Sequence, residues 1–364
     1  MKVQSFIAPD GKKSWLVIGD DYKPIEAISI YLRFLTSLDR SPFTIKIRAF
    51  HLKFFWSFLT HYGIDWKAVK LEDLVDYIFW LKSAEPGTVP IEEVESTRSA
   101  KTINLMLTSV YSFYDFHQRN SGVPGFDGYA KRRLKDPKFK PFLHEIQKSK
   151  STRRRILKLK EPKTFPGCLS SSDIKALVDN CSLIRDKFLL TLLYESGIRI
   201  GEAIGLRHED LASSGENEIY IQPRTDNNNG SRVKNLRPRT IHVSKELMRL
   251  YSIYLVEEYP EEINCDYVFV NVKRDIGSPI KLSNVYTLFK NLQKKTGIKV
   301  YPHLFRHTHA TELVRAGWDM AHIQKRLGHA NVQTTANIYL HLSDQDMKEA
   351  YQSFLETKEN NGSY

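Results

Sequence analysis

The sequence predicts a mainly α-helical protein with a small antiparallel β-sheet, divided into two domains. Three observations predict it. At 364 residues the chain is longer than one small domain requires. Apolar residues recur at spacings of three and four through most of its length, the period of a helix face. Two short β-prone runs, "NEIYIQP" and "RTIHVS", flank a polar loop rich in turn residues, "RTDNNNGSRVKNLRP".

Composition narrows the class. Hydrophobic residues make up 41% and charged residues 26%, as in ordinary globular proteins that bury a core without disulfides. Cys168, Cys181 and Cys265 are scattered and odd in number, with no CxxC pair, so neither a disulfide framework nor a zinc knuckle is expected. A reducing, cytoplasmic setting fits. "MKVQSFIAPDGKKSW" has no apolar run of signal-peptide length, and no window approaches the ~20 apolar residues of a membrane helix. The net charge is +12. Residues 131–163 hold 14 Lys or Arg against three acids, a net of +11, so nearly all the imbalance sits in one segment. Such a stretch suits a polyanion, because phosphate contacts release counterions. Its arginines Arg132, Arg133, Arg153, Arg154 and Arg155 are candidate DNA-binding residues. A solvated, extended linker would carry the same charge.

The elements follow in order. Residues 1–23 read as a strand-forming appendage, with "SWLVIGDDY" apolar between turn signals. Residues 24–121 read as a four-helix block. Pro24 opens a helix through "IEAISIYLRFLTSL". Ser41-Pro42 gives an N-cap and a proline at the first helical position, and Gly63 ends that helix. Within it Phe43, Ile47, Phe50, Phe54 and Phe58 make one apolar face. "LEDLVDYIFWLK" and "RSAKTINLMLTSVYSFYDFHQRN" supply two more helices, and exposed Lys46, Lys53, Arg98 and Lys101 could face phosphate or only water. Residues 122–165 form the basic linker, and 166–345 form the second domain. That domain opens on "SSSDIKALVDNC", with serines before a helix. It continues with "IRDKFLLTLLYES" ended by Gly197, the strand pair, a helix through "KELMRLYSIYLVEEY", a short strand "DYVFV", and helices from Ser283 onward. Residues 346–364 form a C-terminal helix and tail in which Met347, Ala350, Tyr351 and Phe354 share a face that needs a partner.

The chemistry centres on cations. Half of the 12 histidines fall between His303 and His341. The run "HLFRH" places two of them four apart, but it lacks the glutamate of the H-E-x-x-H zinc pattern, and its arginine would repel a metal. Arg306 follows His303 by three, so both leave one helix on nearly the same face. Arg199 sits in "SGIRIGEAIGL", just past a helix end. Two guanidiniums brought together could hold both non-bridging oxygens of a phosphodiester and stabilise its pentacoordinate transition state. For each arginine alone the commoner fate is a surface ion pair, and Glu202, three residues after Arg199, could be that partner.

"SGIRIGEAIGL", "HLFRHTHATEL" and "LGHANVQTTANIY" resemble the sequence boxes of the tyrosine recombinase (integrase) family over residues 165–345. More weakly, residues 24–121 resemble its helical core-binding domain. The His-x-x-Arg box, then Leu-Gly-His, then a tyrosine ten residues past His329 make a specific combination. The resemblance implies a SAM-like helical core-binding domain and a mixed α+β catalytic domain. It implies Arg199, Lys234, His303, Arg306 and His329 as catalytic residues and Tyr339 as nucleophile, the carrier of an O-(3′-phospho-DNA)-tyrosine. Lys234 is placed by counting back eight residues from His242, which stands where the family carries a proline, and Arg232 and Arg237 compete for that role. Tyr339 would attack phosphorus while His303 takes its proton, a phenol of pKa ~10 needing such help. Lys234 would protonate the departing 5′-oxygen. Neither metal nor ATP is required. The partners implied are double-stranded DNA, further copies of the chain in a tetramer on DNA, and an accessory recombinase or DNA-bending protein, with no membrane and a bacterial nucleoid setting. The domain plan suits a transposon-encoded integrase or transposase, or a phage-type integrase. Two other readings use the same residues: a type IB topoisomerase-like nicking-closing enzyme, and a non-catalytic DNA-binding regulator.

Overall fold

In the computed structural model the described residues are 1–8, 11, 13–83, 98–123, 129–130, 154–162, 167–212, 217–224, 227–231, 237–261, 263–328, and 348, 351, 352 and 355. The chain divides into two compact units, Met1–Lys163 and Thr164–Tyr364.

The first unit starts with an antiparallel hairpin, β1 (Lys2–Ile7) and β2 (Lys13–Ile18), in a register that pairs Lys2 with Ile18 and Ile7 with Lys13. Trp15 and Val17 of β2 are buried in the helical core, and the Ile25 N–H donates to the Val17 carbonyl, so the hairpin is built into this core. Four helices follow: α1 (Glu26–Ser37), α2 (Pro42–Tyr62), α3 (Leu71–Lys82) and α4 (Ala100–Ser121). Ser41 Oγ accepts from the Thr44 N–H, Pro42 takes the first turn, and Gly63 ends α2 at φ 65° in the left-handed region.

The buried face of α2 differs from the expected one. Ile45, Ala49, Leu52, Phe55, Phe58 and Leu59 point inward, while Phe43 is 68% and Phe50 40% exposed. Both stripes satisfy helical spacing. Contact with α1, α4 and the hairpin selects the second, which meets partners on more than one side. The core is aromatic: Phe55 meets Tyr77 edge-on at 5.1 Å and Tyr31 meets Phe113 at 5.7 Å between ring centroids.

Part of the stretch expected as linker is built into this unit. Tyr129–Ala130 (β3) pairs antiparallel with Arg154–Arg155 (β4). The chain then runs along α4, where Asn104 holds Leu159 on both sides. Its amide donates to the Leu159 carbonyl at 3.0 Å and its oxygen accepts the Leu159 N–H at 2.9 Å. Leu157 and Leu159 pack on the core.

The second unit is built around α6. Before it comes α5 (Ser171–Asp179), capped by Ser170 and Asp173 reciprocally. Helix α6 (Ile184–Ser196) buries Phe188, Leu189, Leu190, Leu192 and Leu193, which fall on all sides, so it is a central helix. Short helices α7 (Ile200–Ala203) and α8 (Glu209–Ala212) lead to β5 (Glu218–Ile221) and β6 (Arg239–His242), which pair antiparallel with Ile219 opposite Ile241. Then come α9 (Lys245–Glu257), α10 (Leu282–Thr296), α11 (Pro302–Arg315) and α12 (Met320–Leu327). Helices α9 and α11 pack against α6, and α12 against α11 and β6. The run "DYVFV" makes isolated bridges, Arg207 to Tyr267 and Val270 to Pro279, and no strand, because each neighbouring segment forms only one bridged pair with it. The apolar face expected from Met347, Ala350 and Phe354 lies outside the described residues, while Tyr351 is exposed. Among the described residues no helix is long and apolar enough to cross a membrane.

The α2 packing is testable by urea denaturation of the full chain. Phe55→Ala should destabilise the first unit by about 3–5 kcal/mol through lost burial and a cavity. Phe43→Ala should change it by less than about 0.5 kcal/mol.

Candidate active site

The site is assembled where five elements of the second unit converge: the end of α6, the turn into α7, the start of β6, helix α11 and the last turn of α12. Gly197 ends α6 at φ 62°. A Cβ there would lie 2.6 Å from His309 Cδ2 and 2.8 Å from Leu327 Cδ2, so glycine is required by conformation and by space. The turn places Arg199 at the N-cap of α7.

Arg199 donates its backbone N–H to Glu202 Oε2 at 2.9 Å and its Nη1 to Glu202 Oε1 at 3.3 Å. Glu202 was expected at most as a surface partner. Its side chain is 0% exposed and also takes a bidentate pair from Arg239, Nη1 to Oε1 at 3.2 Å and Nη2 to Oε2 at 2.8 Å. Burial pushes the Glu202 carboxyl up, but the hydrogen bonds and charge of Arg239, then Arg199, outweigh it and hold the group below its usual value.

Arg306 is 3% exposed and projects from α11 into the same region. It donates to the Gly197 carbonyl at 2.7 Å and the Leu327 carbonyl at 2.6 Å. Burial, and then the Arg199 charge, push it down to about 9, which still leaves it charged at neutral pH. His303, one turn earlier, is exposed, because the core boundary on α11 falls between the two side chains.

Three guanidiniums grip three successive carbonyls at the end of α12. Arg239 Nε donates to Arg326 O at 2.9 Å, Arg306 Nη2 to Leu327 O, and Arg199 Nη2 to Gly328 O at 3.2 Å. These are carbonyls a helix leaves without intrahelical partners, at the negative end of its dipole. Arg326 adds a fourth guanidinium. It donates to His309 Nε2 at 3.0 Å, the Glu195 carbonyl at 2.9 Å and the His242 carbonyl at 3.0 Å. Burial, then the charges of Arg326 and Arg306, push His309 down to about 3, so it is a neutral acceptor here.

The arrangement therefore joins two of the residues expected from sequence, Arg199 and Arg306, at one helix end. Lys234, His329 and Tyr339 lie outside the described residues. So do Arg132, Arg133 and Arg153, and of Arg154 only the backbone pairing is described. Arg155 donates to Thr108 Oγ1 at 2.6 Å and lies over the Tyr111 ring at 5.3 Å. Arg98 likewise donates to the Leu81 carbonyl at 2.9 Å. Sequence reasoning missed Arg239, Arg326 and His309. The available signals were Arg239 opening the β-prone run "RTIHV", Arg326 directly before the Leu-Gly of "RLGH", and His309 within "HLFRHTHATEL". Among the described residues no group of three His, Cys, Asp or Glu is placed to hold a metal ion.

A cluster of guanidiniums of this kind presents donors that match the oxygens of a phosphate. Residues 168–346 match the phage integrase family. Over 347 residues, 95% of both chains, the sequence is 40% identical to Transposase A from transposon Tn554 of Staphylococcus aureus. The chain belongs to the phage integrase family, the tyrosine-type site-specific recombinases, enzymes that cut and rejoin DNA. Among particular relatives, the tyrosine recombinase XerA of Pyrococcus horikoshii is 29% identical over 258 residues, 70% of this chain and 74% of that one. The fold is that of the Tn1549 transposon integrase solved in complex with transposon right end DNA, with a TM-score of 0.57 at 18% identity, covering 90% of this chain and 98% of that one.

His309 gives the second unit an acid limb. Its folded value lies below the ordinary 6.5, so the unfolded chain takes up the proton first, and stability present above pH 6.5 is lost as pH falls toward 3. At pH 4 the wild type should have lost roughly 3 kcal/mol more than His309→Gln, relative to each protein at pH 7, measured by denaturant midpoints.

Proposed function

We propose that Tyr339 is the nucleophile of a DNA strand transfer, with Arg199, Arg306 and His329 stabilising the phosphate, His303 taking the tyrosine proton, and Lys234 protonating the departing 5′-oxygen. The observation that carries this reading is the convergence of Arg199 and Arg306 on the carbonyls of Gly328 and Leu327, one and two residues before His329. A guanidinium that binds a carbonyl at a helix end binds a phosphate oxygen more strongly, since the acceptor is charged. Attack by the phenolate forms the tyrosyl phosphodiester and breaks the P–O5′ bond. The released 5′-hydroxyl of another strand then reverses the step. The phosphotyrosine conserves the bond, so ATP is not consumed, and the arginines supply the charge that a metal supplies elsewhere.

The element served is a mobile one, read from the 40% identity to a protein named as a transposase. The enzyme acts as a tetramer on duplex DNA in the bacterial nucleoid, with an accessory recombinase or DNA-bending protein. Residues 24–121 serve as the core-binding domain, 166–345 as the catalytic domain, and the basic residues of 122–165 meet the phosphate backbone.

The test is a nicked suicide substrate run on a denaturing gel. Wild type should form a covalent protein–DNA adduct. Tyr339→Phe should form none while its DNA affinity and thermal midpoint stay near wild type. An adduct with Tyr339→Phe, or none with wild type, contradicts the assignment. Relaxation of any supercoiled plasmid without strand exchange would mark a topoisomerase.

A further inference from the structure

The loop that leads into Lys234 is anchored where a polar, glycine-containing turn would be expected to face water. Residues 227–231, "NNNGS", form a turn with Gly230 at φ 74°, its N–H donating to the Asn227 carbonyl at 3.3 Å. Asn229 and Ser231 are nevertheless buried. Asn229 Nδ2 donates to the Ile204 carbonyl at 2.7 Å, Asn229 Oδ1 accepts the Ser231 N–H at 2.9 Å, and the Ser231 hydroxyl donates to the Gly201 carbonyl. The approach is close at Gly205. A Cβ there would lie 3.1 Å from both Ser231 Oγ and the Gly201 carbonyl oxygen. The far side of the turn is fixed as well, since the Asn228 N–H donates to Tyr267 Oη at 2.8 Å and Arg207 Nη2 to Asn227 Oδ1 at 3.3 Å.

Both anchoring carbonyls belong to one short helix. Gly201 lies within α7 and Ile204 is its C-cap, while its N-cap is Arg199. On the other side of Lys234, Arg239 holds Glu202 of the same helix. In the sequence, Lys234 falls between two attachments to α7. It is three residues from Ser231, which limits the separation of their Cα atoms to about 11 Å. A loop without the Ser231 attachment would set no such bound relative to α7.

We propose that Asn229 and Ser231 are positioning residues for the general acid: they tie the segment carrying Lys234 to the helix capped by Arg199, so that proton donor and phosphate ligand share one frame. The inference rests on the reading of Lys234 as the acid. In that step the P–O5′ bond breaks with its electron pair on oxygen, the ammonium of Lys234 delivers one proton to it, and the amine is left neutral.

The test compares two suicide substrates, one ordinary and one with sulfur in place of the bridging 5′-oxygen at the scissile phosphate. A thiolate leaves without a proton, so a defect confined to the acid disappears on sulfur. Single-turnover adduct formation is measured at full-length protein saturation, at a temperature where each variant is folded. Lys234→Ala should lose about 10²–10⁴-fold on the oxygen substrate and regain near wild-type rate on sulfur. Ser231→Ala and Asn229→Ala should each lose at least tenfold on oxygen and recover on sulfur. Ser231→Ala removes one hydroxyl, so it decides the matter even where Asn229→Ala does not fold. Equal losses on both substrates, or no loss on oxygen, overturn the positioning role. If Lys234→Ala shows no sulfur rescue while the loop variants do, the acid is another residue of the loop, the reading of Lys234 fails, and the assignment of Asn229 and Ser231 to Lys234 fails with it.

Discussion

The second unit is organised around the carboxylate of Glu202. A carboxylate removed from water is tolerated only when paired and hydrogen-bonded. Here it is held by Arg199 from its own helix and by Arg239 from the start of β6. That single group fixes the direction of Arg199, joins α7 to the hairpin, and leaves the pair of guanidiniums aimed at the end of α12. Removing it would leave two cations facing each other near Arg306, whose charge is already opposed by Arg199.

The end of α12 is the second half of the same device. Its last carbonyls need donors, and Arg239, Arg306 and Arg199 provide one each in sequence order 326, 327, 328. The chain that continues from this point carries His329 and, ten residues on, Tyr339. The guanidiniums proposed to hold the phosphate therefore also set where the nucleophile-bearing segment begins. Gly197 lets the strand of contacts close, because any side chain there would displace His309 and Leu327, and with His309 the donor contact from Arg326.

Much of this was legible in the sequence where the signal is local. Ser41-Pro42 and Gly63 bound α2 as read, "LEDLVDYIFWLK" is α3 to the residue, and the two β-prone runs pair. Arg199 and Arg306 stood out because a guanidinium beside a glycine turn and one in a histidine-rich helix are unusual. What was not legible depends on tertiary contact. Two apolar stripes on α2 satisfy the same spacing, and only the packing partners choose between them. Glu202 reads as an ordinary helix acid until Arg239, 37 residues away, is brought onto it. The "NNNGS" turn reads as a polar loop because its burial depends on the carbonyls of Ile204 and Gly201, 25 and 30 residues back along the chain.

The dependence of the site on Glu202 can be measured directly with Glu202→Gln. Glutamine keeps the shape and one acceptor oxygen but removes the charge. Single-turnover adduct formation on a suicide substrate, at saturating enzyme and a temperature where both proteins are folded, should fall by about 10²-fold, the scale of losing an oriented charge-stabilising donor, with DNA affinity near wild type. A wild-type rate in Glu202→Gln would contradict the account, because Arg199 would then find its orientation without the carboxylate.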